Sequence, residues 1–413
     1  MQVAYLDSNA TTPLAPAVLA AVQSALTDAW GNPSSAHPAG QQAKKVIAAA
    51  RSQVATMLGV ADHPEYVIFT SGGTEANNMA IRSAVASARP AAATNSARSR
   101  PHVITSNVEH DSVKLVLEAL VAEGAIELSV VNVAQQTGVV NVDAVVAAVR
   151  PETVLVTIML ANNEVGTIQP IAAISAAMQE LSNARPADHP RILVHTDAAQ
   201  AIGKIPVNVR ELGVDYLTIV GHKFYAPRNG ALFVNNPRGY TPLHPLLQGG
   251  GQEDKFRPGT ENTAMIAGLG AACELVTAHL ADYAANMLAT RNYFEEKMLQ
   301  RFSKHRFQVN GPTFLGARLP NTCNFSLIGQ GLIGSHVLAA CKTFYASVGA
   351  ACHAEHTMRP SPILLAIGVN PENAVNAIRV STGRDTTFAE LDTVVEELYN
   401  VAMALCNSAG VAH

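Results

Sequence analysis

The sequence predicts an α/β protein: a mostly parallel sheet of seven strands in a large domain, with a smaller α+β domain attached. Three observations carry that expectation. Short β-branched runs alternate with longer alanine-rich stretches of helical periodicity, as repeated βαβ units require. The runs are apolar almost throughout, as in Leu155-Val-Thr-Ile-Met-Leu160, which suits strands covered on both faces. The pattern changes after a long helical stretch at 263–298, where strand-like and helical segments become mixed.

Taken in order, helices are expected at 17–29 and 40–58, a strand at 66–70 and a helix at 75–86. Residues 87–101, rich in Ala, Ser, Arg and Pro without periodicity, read as a surface insertion. Strands at 102–106, 127–131, 153–159, 191–196, 215–220 and 231–234 follow, with helices at 113–122, 142–149 and 171–181 between them. Beyond the helix at 263–298, strand-like segments fall at 319–326, 345–350 and 374–381, and an amphipathic helix at 389–405. This divides the chain into a large domain at 13–265 and a small one made of 1–12 and 266–413. No internal repeat is visible.

Composition removes several function classes. The 413 residues are 48% hydrophobic and 15% charged with net charge −4, an ordinary globular balance. A nucleic-acid partner is not expected, because no basic run supplies its footprint. No uncharged apolar stretch of about 18 residues occurs, so no membrane span is expected. The N-terminus has no basic segment followed by an apolar one, so no signal peptide is expected. Five cysteines, Cys273, Cys323, Cys341, Cys352 and Cys406, have no metal-like spacing. No metal site is therefore expected. The odd count suits a reducing compartment, and a cytoplasmic location is expected, with the nucleus left open.

The chemistry concentrates where strands end. In Leu217-Thr-Ile-Val-Gly-His-Lys-Phe-Tyr-Ala-Pro227, Lys223 follows an apolar strand and precedes a break. A lysine is usually a solvated surface charge, but an amine delivered into a cleft forms a Schiff base with a carbonyl, most often that of pyridoxal phosphate. Val194-His-Thr-Asp-Ala-Ala-Gln200 places Asp197 at the carboxyl edge of the sheet one βα unit earlier, where ligands bind in open α/β folds. A carboxylate there would keep the pyridine nitrogen protonated; it would equally cap a helix.

Thr70-Ser-Gly-Gly-Thr-Glu-Ala-Asn-Asn78 is a strand-to-helix turn whose N–H groups suit a phosphate, with Thr74 adding a hydroxyl. A simple capping turn has the same ingredients. His110, in Ser106-Asn-Val-Glu-His-Asp111, is placed to stack on a ring or move protons, or is structural. Arg379, in Ile378-Arg-Val-Ser-Thr-Gly-Arg384, is a carboxylate receptor or a surface ion pair. Cys352, in Ser347-Val-Gly-Ala-Ala-Cys-His-Ala-Glu-His356, reads as a loop thiol beside His353, where ionisation favours a nucleophile.

With these motifs in one order, the chain resembles the class V aminotransferase-like group of fold-type I pyridoxal phosphate enzymes. More narrowly it resembles the cysteine desulfurase and selenocysteine lyase family. The likeness runs over nearly the whole chain, from Asp7-Ser-Asn-Ala-Thr-Thr-Pro13 and Gly31-Asn-Pro-Ser-Ser35 to Arg257-Pro-Gly-Thr-Glu-Asn262 and Gly383-Arg384. It implies that Lys223 is the Schiff-base lysine, that His110 stacks on the ring and that Asp197 pairs with the pyridine nitrogen. It further implies that Gln200 bonds the phenolic oxygen and that Gly73, Thr74 and His222 hold the phosphate. Thr260 would reach the phosphate of a neighbouring subunit, which implies a homodimer. Asn163 and Arg379 would fix the carboxylate of an amino-acid substrate, with Asn9 and Asp111 in the substrate site. Cys352 would be the mobile-loop cysteine.

One departure stands out: Val220 occupies a position where bacterial desulfurases often have a phosphate-binding serine. Three stretches resemble the selenocysteine lyase branch: Val108-Glu-His-Asp-Ser112, Thr218-Ile-Val-Gly-His-Lys-Phe-Tyr225, and Ala350-Ala-Cys-His-Ala-Glu-His356 followed by Pro360-Ser-Pro362. The branch implies conversion of L-selenocysteine to L-alanine and selenide. The alternative is a desulfurase that passes persulfide sulfur from Cys352 to an acceptor protein. A selenium acceptor is equally a candidate partner.

Overall fold

The structure is a computed structural model that describes residues 3–88, 100–186, 189–314, 316–349 and 359–408. Its centre is a seven-stranded sheet. In chain order the strands are β2 (Val67–Thr70), β3 (His102–Ser106), β4 (Glu127–Val131), β5 (Thr153–Thr157), β6 (Leu193–Asp197), β7 (Tyr216–Val220) and β8 (Gly230–Val234), after a short β1 (Ala4–Tyr5) elsewhere. Their spatial order is β2-β8-β7-β6-β5-β3-β4. Only β8 runs against its neighbours, β2 and β7; the remaining pairs are parallel.

Alternation along each strand feeds two cores. Val156, Val194, Leu217 and Phe233 face one apolar cluster. Leu155, Leu193, Tyr216 and Leu232 face the other. Burying each such side chain contributes about 1.5–3 kcal/mol, and a register slip of one residue would exchange the two faces.

Helices cover both faces. They are α1 (Pro16–Asp28), α2 (Pro38–Met57), α3 (Gly73–Ser87), α4 (Asp111–Ala122), α5 (Val142–Ala147), α6 (Ile171–Ala184), α7 (Val209–Leu212) and α8 (Thr263–Phe302). Local chemistry starts several of them. Proline opens α1 and α2, Asn141 caps α5, Asn208 caps α7 and Asn262 caps α8. Helix α8 is long and apolar enough by length and composition to cross a membrane; here its first half packs against α1 and α2. Close approach is set by glycine: a Cβ on Gly270 would meet the Ala50 Cα at 2.6 Å.

The rest of the chain builds a second layer. Strands β9 (Phe307–Asn310), β10 (Thr322–Leu327) and β12 (Ala377–Ser381) form an antiparallel sheet in the order β12-β10-β9, and β11 (Phe344–Tyr345) pairs with β1. Helices α9 (Gly334–Ala340), α10 (Pro362–Ala366), α11 (Pro371–Val375) and α12 (Phe388–Ser408) complete it. Phe294 and Met298 of α8 pack with Phe325, Ile378 and Leu398 in its core. Leu6 joins that core, and Asp7 bridges to Ser381, so the N-terminal residues sit with the C-terminal ones. The expected boundary at 265/266 falls just inside α8, which spans both units.

Candidate active site

Lys223 ends a short turn (Gly221–Lys223) directly after β7. A Cβ on Gly221 would lie 2.5 Å from the Pro227 carbonyl oxygen, so only glycine lets the chain fold back and present the lysine. The Lys223 amine donates to the backbone carbonyls of Asn9, 2.9 Å, and Ala10, 2.7 Å. Asp197, the last residue of the neighbouring strand β6, is 7% exposed. Its oxygens accept from the Asn77 amide, 2.8 Å, and from the Ala199 N–H, 2.9 Å. Both donors are neutral. A buried carboxylate with only neutral donors is a costly arrangement that a cationic ligand would relieve.

Asn77 links that carboxylate to His110. Its amide also donates to the Ser112 hydroxyl, 2.8 Å, which lies 2.8 Å from His110 Nδ1. The Ser112 N–H donates to the same nitrogen at 3.1 Å, so His110 caps α4 and keeps Nε2 for a ligand. Below Asp197 on the same strand face, His195 is fully buried between Thr157, 2.8 Å, and Thr218, 3.1 Å. Burial pushes its pKa down to about 4, so it adds no charge. Glu109 is also buried, and burial raises its carboxyl to about 8 against hydrogen bonds from Ser106 and the Met159 N–H.

A helix N-terminus borders the same rim. Gly72 precedes α3 with open space where a Cβ would project, whereas a Cβ on Gly73 would strike Val220 Cγ2 at 2.5 Å. Val220 thus packs against the turn instead of donating to it. Thr74 lies exposed in the first turn of α3. His222 Nδ1 lies 3.1 Å from the Thr11 hydroxyl. Burial first, then Lys223 and Arg228, lower His222 to about 4. Thr260 is exposed and lines a cavity of about 310 Å³ with Ser71, Arg228 and Arg257.

Arg379 on β12 is 1% exposed. It donates to Asp7 at 2.7 Å and to the Asn163 carbonyl at 3.0 Å, and its buried Nε has no hydrogen-bond partner among the described residues. The Asn9 side chain is committed to Thr322, 2.9 Å, and Asn321, 3.0 Å; its backbone carbonyl, not its amide, meets Lys223. Gln200 donates to that same carbonyl at 2.9 Å. Asp111 opens α4 next to His110. Cys352 and His353 lie outside the described residues. No cluster of three metal-ligating side chains occurs among the described residues.

Lys223, Gln200, Asn9, Asn163 and Arg379 therefore share one connected network, while Asp197, Asn77, Ser112 and His110 form a second one at the sheet's carboxyl edge. Sequence reasoning passed over Asn77, Asp7, Glu109 and Lys204. His195 and Asp197 alternate along one strand, which put His195 within reach of sequence reading. No local signal marked Asn77 or Lys204.

The donor set fits pyridoxal phosphate. A lysine amine stands one strand from an unneutralised buried carboxylate, a histidine has a free ring nitrogen, and an open glycine turn begins a 15-residue helix.

Comparison with known proteins agrees with this geometry. The profile of the family Aminotransferase class-V matches residues 4–394. Selenocysteine lyase of Rattus norvegicus is 52% identical over 405 residues, covering 95% of this chain and 93% of its own. Cysteine desulfurase IscS of Dictyoglomus turgidum is 38% identical over 401 residues, covering 96% and 94%. A solved NifS-like protein superposes with TM-score 0.84 at 31% identity, covering 98% of this chain and 100% of that one. The α/β architecture with its mostly parallel sheet is the fold-type I arrangement, and the chain belongs to the aminotransferase class-V family.

Proposed function

We propose that this chain is a pyridoxal phosphate-dependent selenocysteine lyase, converting L-selenocysteine to L-alanine. Two electrons from a thiol reductant or an acceptor protein would release the selenium as selenide. The observation that carries the reading is the buried Asp197 carboxylate, bonded only to neutral donors and one strand from Lys223. The 52% identity to a selenocysteine lyase, against 38% to a desulfurase, supports selenium over sulfur as the leaving atom.

Bound pyridoxal phosphate supplies an electron sink for charge developing at the substrate's α-carbon. The chain does the rest. Lys223 would hold the cofactor covalently, and its amine, when free, would be the group that moves the substrate's α-proton. Asp197 would keep the pyridine nitrogen protonated, Gln200 would donate to the phenolic oxygen and His110 would stack on the ring. Gly73, Thr74 and neutral His222 hold the phosphate, and Thr260 holds that of a second subunit in a homodimer. Arg379 and Asn163 orient the substrate carboxylate, with Asn9 and Asp111 beside it. Cys352 assists departure of selenium as acid or nucleophile. The described cysteines are all unpaired, which accords with the cytoplasm.

The test is alanine release from L-selenocysteine and L-cysteine, side by side, with wild type and Cys352→Ala. A preference of roughly several hundred-fold for selenocysteine, about 3–4 kcal/mol in the transition state, is the expected result. Comparable rates, with cysteine turnover lost in Cys352→Ala, would overturn it in favour of a desulfurase.

A further inference from the structure

Lys204 has no part in the roles above, and its setting is unusual for a lysine. It is 3% exposed, and the charges acting on it are the cations Lys223 and Arg379. Burial, then those two cations, push its amine well below the ordinary lysine range. An apolar side chain of equal length would fill the space without the cost of burying an amine, so the nitrogen has a task.

Its hydrogen bond defines that task. Lys204 Nζ donates to Gln200 Oε1 at 2.7 Å, and Gln200 Nε2 donates to the Asn9 carbonyl at 2.9 Å. That carbonyl also receives Lys223 Nζ at 2.9 Å. A primary amide is a donor at one end and an acceptor at the other, and its partners decide which way it faces. Lys204 claims the oxygen and Asn9 claims one hydrogen, which leaves the second hydrogen to give. The turn carrying Lys204 is locked in place. Gly203 has φ +78° and approaches so closely that a Cβ would lie 2.7 Å from the Cβ of Phe224, the residue after Lys223.

We propose that Lys204 is a positioning residue: its buried amine fixes the Gln200 amide so that an N–H, and not the carbonyl, is offered to the cofactor's phenolic oxygen. This rests on the assignment of Gln200 to bound pyridoxal phosphate.

The test is a pH titration of the holoenzyme's visible absorbance in wild type, Lys204→Met, Gln200→Met and the double variant. A donated N–H stabilises the phenolate, and losing it raises the pH midpoint of the band by about one unit. Lys204→Met and Gln200→Met should each show that rise, and the double variant should rise no further, because both act through one amide. A wild-type midpoint in Lys204→Met overturns the proposal. So does a double variant whose shift is the sum of the singles, since Lys204 would then act independently of Gln200. Methionine matches lysine in length and buries uncharged; thermal unfolding of the cofactor-free forms verifies folding, and Lys204→Leu answers the same question if methionine is not tolerated. A wild-type chain without any visible cofactor band overturns the cofactor assignment, and this proposal with it, by a result distinct from an unshifted midpoint.

Discussion

At the scale of single residues, the site separates charge carefully. Its histidines, buried His195 and half-buried His222, are held neutral, so Lys223 and Arg379 supply the positive charge against Asp197 and Asp7. Lys223→Ala should lower turnover by at least 10²–10⁴-fold, the usual contribution of a general acid–base group, measured as alanine release. Arg379→Lys keeps the charge but loses the planar fork that bonds Asp7 and the Asn163 carbonyl together. It should raise KM by roughly tenfold or more with a smaller change in kcat, read from steady-state kinetics. Glu109 gives a pH signature. Its folded carboxyl titrates near 8 against an ordinary 4.5, so the folded state holds its proton while the unfolded state releases it. Stability from this group is complete below about 4.5 and falls as pH rises towards about 8. Urea unfolding midpoints should decline across that window in wild type and stay flatter in Glu109→Gln.

At the scale of elements, the contact between the α3 turn and the end of β7 is one of the tight fits in the site. Alanine at Gly73 would collide with Val220 Cγ2, an overpacking that costs about 1–3 kcal/mol. Val220→Ala removes the obstacle, so Gly73→Ala should be strongly destabilising alone and much less so beside Val220→Ala, a coupling visible in chemical unfolding. The central strands were readable because both faces are buried and their apolar runs are continuous. His102–Ser106, buried at every position, falls where β-branched content puts it, and so does the partly exposed edge strand Glu127–Val131. The strands β1 and β9 escaped notice because each is short, and β1 also depends on a partner far along the chain, Ala4 pairing with Phe344. In the site, residues at strand ends announced themselves by position. Lys204, Asn77 and Asp7 did not, because their meaning lies in hydrogen bonds to residues 4, 120 and 372 positions away.

At the scale of the whole molecule, α8 packs into one core of the seven-stranded sheet and into the core of the antiparallel sheet, and ties those two together. Several large apolar side chains nonetheless remain outside either core: Leu26 is 59% exposed, Trp30 74% and Leu247 63%. Leu26 and Trp30 stand one turn apart at the end of α1, and Thr260 on an exposed loop awaits a second subunit under the proposed function. Sedimentation should therefore report a particle of twice the 43.4 kDa chain mass. Trp30 is the single tryptophan, so its emission should shift to the blue on assembly and return to the red on dilution.

The union of Asp7 with Arg379 also imposes a timetable on the protein's birth. These partners lie 372 residues apart, and a ribosome adding about 5–20 residues per second separates their emergence by roughly 20–75 seconds. In the last part of that interval, after Val234 has emerged, every strand of the seven-stranded sheet has been made while its carboxyl rim still lacks the arginine. Under the proposed function the nascent chain therefore reaches its cofactor-binding scaffold before it acquires a complete grip on substrate, and competence arrives only as synthesis ends.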